Sequence, residues 1–127
     1  MEIKTGYFSK VKKYRADGFV TISIARSARY YAGEKYIALA PPYDMIHLPD
    51  AEYVPKYRSQ VLGGLDQADV INDLQKIGEK VILLCHEKPS DFCHRQLVAE
   101  WLRESGIDCE EWVERPEAEK TQGVLFG

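Results

Sequence analysis

The sequence predicts an α/β fold: a single compact domain with a mostly parallel central sheet of about five strands flanked by about three helices. Three observations point there. The chain has 127 residues, enough for one hydrophobic core and too few for two. Short β-branched runs come first, and helix-period segments then alternate with strand-sized runs. The run Val81-Ile82-Leu83-Leu84-Cys85 has no polar alternation, the pattern of a strand covered on both faces.

Taken in order, Ile3 to Phe8 reads as the first strand. A Lys-rich connection follows, with Lys10, Lys12 and Lys13 in a solvated turn that closes at Asp17-Gly18. Phe19 to Ala25 is rich in β-branched residues and too short for a helix, so it is the second strand. Tyr36 to Ala40 is the third, stopped by Pro41-Pro42. Prolines at 41, 42, 49 and 55 make the next stretch an irregular loop that runs over the surface or lines a site. Tyr53, Tyr57, Val61 and Leu62 then share one helical face, ended by Gly63-Gly64. Asp66 caps a second helix with Val70, Leu74 and Ile77 in step, ending at Gly78. After the 81–85 strand, Ser90 or Asp91 caps a third helix with Leu97, Val98, Trp101 and Leu102 inward, ending at Gly106. Ile107 to Val113 is the last strand. Residues 1–114 thus form the domain and residues 115–127 a tail.

Composition narrows the function classes. A hydrophobic share of 45% with 29% charged residues excludes disordered and fibrous chains. No apolar run reaches the roughly 18 residues of a membrane span, and Met1-Glu2-Ile3-Lys4 lacks the apolar segment of a secretory signal. The expected setting is cytoplasmic, with no membrane partner. An odd count of three cysteines fits reduced thiols there. The net charge of -3 conceals an asymmetry: residues 1–40 carry eight Lys/Arg against three Asp/Glu, leaving nine against seventeen in the rest. A global basic footprint for duplex DNA is excluded, whereas a local basic cleft around Arg26 and Arg29 is compatible.

The most unusual stretch is Cys85-His86-Glu87-Lys88-Pro89-Ser90-Asp91-Phe92-Cys93-His94-Arg95, between a buried strand and a helix start. Ligands of parallel sheets sit at the carboxyl ends of the strands, which points to the loop after Cys85 and also to Arg26. A helix start favours anions and lowers a thiol's pKa, and Arg95 adds a planar fork suited to phosphate or carboxylate. Three functional readings compete. In one, Cys93 or Cys85 is a nucleophile, His94 or His86 its base, and Arg95 the holder of an oxyanion or phosphate. In another, Cys85, His86, Cys93 and His94 bind zinc. Neighbours on a strand point to opposite faces, however, and no remote Cys-x-x-Cys pair completes a site. In the third, the segment only binds an anion and the cysteines are packing. Cys109, in the last strand, reads as packing. Glu87 is a general base or, preferably, an orienting partner of Arg95 or Arg26. No metal and no cofactor is assigned.

Leu83-Leu84-Cys85-x-Glu87-Lys88 followed by Cys93-His94-Arg95 and an apolar helix resembles the signature of the domain-of-unknown-function family 488. The likeness extends more weakly to Thr5-Gly6-Tyr7-Phe8, to Ile22-Ser23-Ile24-Ala25-Arg26 and to Leu39-Ala40-Pro41, spanning most of residues 3–105. It implies a small α/β domain whose Cys-Glu and Cys-His-Arg residues cluster at one site with Arg26. The chain departs from longer members where their first strand often ends Gly-His-Ser (here Tyr7-Phe8-Ser9) and their second reads Asp-Val-Arg (here Ile24-Ala25-Arg26). Separately, Gln122-Gly123-Val124-Leu125-Phe126 resembles the peptide by which bacterial replication and repair proteins bind the sliding clamp, with Gln122, Leu125 and Phe126 as anchors. Alternatively, Leu125 and Phe126 cover the domain's own apolar surface.

The leading expectation is an enzyme acting on a phosphate-bearing substrate, a nucleotide or a nucleic-acid end. Arg95 and Arg26 hold the anion, Cys93 is the nucleophile, His94 the base and Glu87 the orienter, with Cys85 beside them. The alternative is a non-catalytic nucleotide- or nucleic-acid-binding module, tethered to a sliding clamp through the tail. The oligomeric state is not legible in the sequence.

Overall fold

The computed structural model describes residues 1–86 and 93–114. Five strands form one sheet: β1 (Glu2–Tyr7), β2 (Val20–Ser23), β3 (Glu34–Lys35), β4 (Lys80–Cys85) and β5 (Cys109–Glu111). All pair in parallel, in the order β3-β2-β4-β1-β5. Among the described residues four α-helices accompany them: α1 (Val11–Ala16), α2 (Asp50–Gln60), α3 (Gln67–Ile77) and α4 (His94–Glu104). The expected α/β class and parallel sheet are therefore present.

Central β4 explains the architecture. Side chains alternate across a strand, so Val81 and Leu83 face one layer and Ile82 and Leu84 the other. The first pair joins Ile3, Ile22 and Cys109 in a core closed by α2, α3 and α4, including Tyr57, Leu74, Val98 and Leu102. The second pair meets Phe8, Tyr14, Phe19 and Tyr31 on the α1 side. Burial on both faces is why no polar residue interrupts this strand. Close approach matters at Gly6, where an added Cβ would stand 2.5 Å from the Tyr14 hydroxyl. Without one, the Tyr7 N–H reaches that hydroxyl at 3.1 Å.

Helix boundaries follow local chemistry. Asp66 accepts from the Asp69 N–H at 3.2 Å and starts α3. Gly106, at φ +93°, follows α4 in the left-handed region that favours glycine. Some expected elements differ. The Lys-rich connection is not a plain turn: it folds into a 3₁₀ turn over Phe8–Lys10 and then α1, which buries Tyr14. Tyr36 to Ala40 is not a strand. β3 ends at Lys35 and a 3₁₀ turn covers Ile37–Leu39, because the Leu39 carbonyl turns inward to accept from Tyr57 at 2.6 Å. The residue capping α4 is Cys93, and Ser90 and Asp91 lie outside the described residues. The last strand is shorter than expected because only Cys109–Glu111 pair with β1. Among the described residues, no helix is long and apolar enough to cross a membrane.

Candidate active site

Parallel strands β2 and β4 end side by side, and past their carboxyl ends lies a cavity of about 420 Å³. Its wall includes Arg26 and Ser27 from beyond β2, Cys85 and His86 from the end of β4, and Cys93 and His94 from the start of α4. Cys85 shares the parity of Val81 and Leu83, so its side chain faces the α4 layer. There it forms a disulfide with Cys93. This corrects the expectation of three reduced thiols: strand end and helix start converge closely enough to join two of them. Cys109 is the free cysteine, buried, and its thiol pKa is pushed up to about 12 by desolvation.

His94, the first residue of α4, is enclosed beside the sulfurs. Its Nε2 donates to the Ile24 carbonyl at 2.7 Å, which leaves Nδ1 with a lone pair 3.6 Å from Cys93 Sγ. The Ile24 backbone is held in turn by its N–H donating to the Leu84 carbonyl at 3.0 Å. Burial lowers the His94 pKa from 6.5 to about 4, so the imidazole is neutral near pH 7. The Ile24 hydrogen bond opposes that shift, and Arg95 and then His86 add to it. At the cap, Gln96 Oε1 accepts from the Cys93 N–H at 3.3 Å, which fixes the backbone that carries the sulfur.

The two arginines have different surroundings. Arg26 lines the cavity; its Nε donates to the Pro41 carbonyl at 2.9 Å and its Nη2 to the Ala40 carbonyl at 3.2 Å. Its guanidinium also lies 5.7 Å from the ring centre of exposed Tyr43. Arg95 is fully enclosed and does not line the cavity. Its Nε and Nη2 donate to the two Glu111 carboxylate oxygens at 3.0 and 3.2 Å, and Nη1 donates to Cys85 Sγ at 3.1 Å. A positive group thus stands directly against that sulfur.

Cys85, Cys93 and His94 bring their ligand-capable atoms within 4.8 Å of one another, while His86 faces elsewhere. His86 donates from Nε2 to the Ser27 carbonyl at 2.8 Å and accepts at Nδ1 from the Tyr30 hydroxyl at 2.6 Å. Opposite parity of neighbours on a strand explains the separation. Glu87, Gln122, Leu125 and Phe126 lie outside the described residues.

Sequence reasoning missed two contributors. Asp50 reaches the cavity from the first turn of α2, beside Tyr53, and only the proline-rich loop before it hinted at a site. Glu111 was missed as the Arg95 partner. Its parity with buried Cys109 was the available signal, since both side chains face the layer that holds α4.

The chain belongs to the DUF488 family: the model of the active DUF488-N3 subclade, DUF488-N3a, matches residues 24–106. No curated protein and no solved structure matches the chain.

Proposed function

We propose that this chain is an enzyme in which Cys93, once reduced, attacks a phosphate-bearing substrate, a nucleotide or a nucleic-acid end, seated in the Arg26 cavity. One observation carries the reading: the Ile24 carbonyl holds the His94 tautomer so that Nδ1 faces Cys93 Sγ at 3.6 Å. The Cys93 proton passes to Nδ1, and sulfur bonds to an electrophilic atom of the substrate. The leaving group departs with the electrons of the broken bond and takes that proton. Arg26 and the start of α4 favour the substrate's negative charge. Arg95 acts through Cys85 and Glu111, as a positioning residue. The matched subclade is described as active, which supports a catalytic role.

A second reading, a nucleotide- or nucleic-acid-binding module, draws on Tyr43, 68% exposed beneath Arg26, as a stacking surface for a base. In either reading the Gln122, Leu125 and Phe126 tail is a tether to a sliding clamp; a peptide of residues 117–127 that fails to bind purified clamp removes that part.

A thermal-shift screen of the reduced chain against nucleotides, short oligonucleotides and inorganic phosphate tests the substrate class. A ligand at a hundred times its dissociation constant stabilises by about 2.7 kcal/mol, a shift of several degrees. Arg26→Ala should abolish that shift. A silent panel, or a shift untouched by Arg26→Ala, overturns the assignment.

A further inference from the structure

Two cysteines share the wall of one cavity, and their enclosure differs. Cys85 is 0% exposed and Cys93 6%, so a small reagent entering the cavity meets Cys93 first. The bond between them spans only eight positions, at the junction of β4 and α4, in a domain that already has a packed core on each face of its sheet. Small disulfide-dependent domains, by contrast, use such bridges in place of a core. In the bonded state Cys93 Sγ carries no thiolate and cannot attack a substrate.

We propose that Cys85 is the resolving partner of Cys93 in a reversible lock on the candidate active site, closed by hydroperoxides and opened by small thiols. The proposal rests on the nucleophile reading above. In closing, the Cys93 thiolate attacks the outer peroxide oxygen; the O–O bond breaks, the alkoxide or hydroxide leaves and is protonated, and Cys93 becomes a sulfenic acid. The Cys85 thiolate then attacks that sulfur and expels hydroxide, which is protonated to water. Two thiols have lost two electrons and two protons, and the peroxide has been reduced to an alcohol or water, plus the second water. In opening, a small thiolate attacks Cys93 Sγ and releases Cys85 as a thiolate. Arg95 Nη1, 3.1 Å from Cys85 Sγ, stabilises that leaving group. A second thiol displaces the first from Cys93, leaving both cysteines reduced and a small-molecule disulfide in solution.

The test exposes the reduced full chain to hydrogen peroxide, alkylates the remaining thiols, and reads intact and peptide masses. The expected wild-type product has lost two hydrogens and contains one linked Cys85–Cys93 peptide, which glutathione reverses. In Cys85→Ser, Cys93 instead gains oxygen; in Cys93→Ser, Cys85 stays reduced at the same dose. Oxygen uptake at Cys93 in the wild type without the link overturns the proposal, as does full alkylation of both cysteines after peroxide. Should Cys85→Ser fail to fold, the wild-type arm decides alone. A silent ligand panel alongside a formed link overturns the substrate reading only, and the reverse result overturns only the lock.

Discussion

An imidazole enclosed among side chains loses the hydration that a positive charge needs, and His94 carries that cost beside the cysteines. Its folded pKa, about 4, lies below the ordinary 6.5, so the folded state binds fewer protons than the unfolded state between those values. The resulting stability is fully present above about pH 6.5 and is lost as pH falls toward about 4, by up to roughly 3 kcal/mol. Urea unfolding of the disulfide-bonded protein at pH 7 and at about pH 4.5 should therefore show a larger acid loss for the wild type than for His94→Gln. Equal losses would contradict the enclosed, neutral histidine. In the proposed step, the proton that leaves reduced Cys93 passes to Nδ1. His94 followed by Arg95 was legible in the sequence as more than packing, since adjacent costly polar groups at a helix start rarely serve packing alone, and Cys93 and His94 were read as candidate nucleophile and base. The Ile24 carbonyl that selects the tautomer was not: it lies 70 positions away and depends on how β2 and β4 end together.

Helix α4 is tied to the edge strand β5 by an ion pair, and Arg103 Nη1 also donates to the Cys109 carbonyl at 2.6 Å. Arg95, fully buried on the first turn, meets Glu111, whose side chain is 27% exposed and also accepts from Thr5 Oγ1 at 2.7 Å. Removing one partner of an enclosed pair leaves a charge without compensation, which costs about 3–5 kcal/mol. Glu111→Ala should lower the unfolding free energy by an amount of that order and Glu111→Gln by less; an unfolding free energy within about 0.5 kcal/mol of wild type, the effect of an ordinary surface change, would contradict the pairing. The same geometry means that Arg95→Ala perturbs the fold as well as the site. Elements with strong local signals were readable: the uninterrupted 81–85 run, the Asp66 cap and the Gly106 stop. Tyr36 to Ala40 was misread because β-propensity describes a half-buried pleated surface, while this segment is placed by a tertiary contact from Tyr57. The pairing of Arg95 with Glu111 was hidden for a related reason. Parity puts both on one side of the sheet, but only the strand order brings β5 beside β1, within reach of the start of α4.

Across the molecule, a parallel sheet gathers groups from distant parts of the chain at one end. Arg26 from the base-rich first third meets Cys85, Cys93 and His94 from the acidic remainder, so a net charge of -3 coexists with a cavity that carries an arginine. The class of the fold and the carboxyl end of the sheet as the location were both readable from pattern. The joining of Cys85 to Cys93, and the enclosure of Arg95, required three-dimensional placement. The proposed chemistry requires Cys93 to be an activated thiol in a ligand-accessible cavity. The direct measurement is the alkylation rate of Cys93 in the reduced full chain at neutral pH, with and without a saturating nucleotide. Wild-type Cys93 should react about tenfold faster than in His94→Gln, and nucleotide should protect it, while buried Cys109 stays inert. A rate equal in both proteins and unchanged by nucleotide would contradict the account.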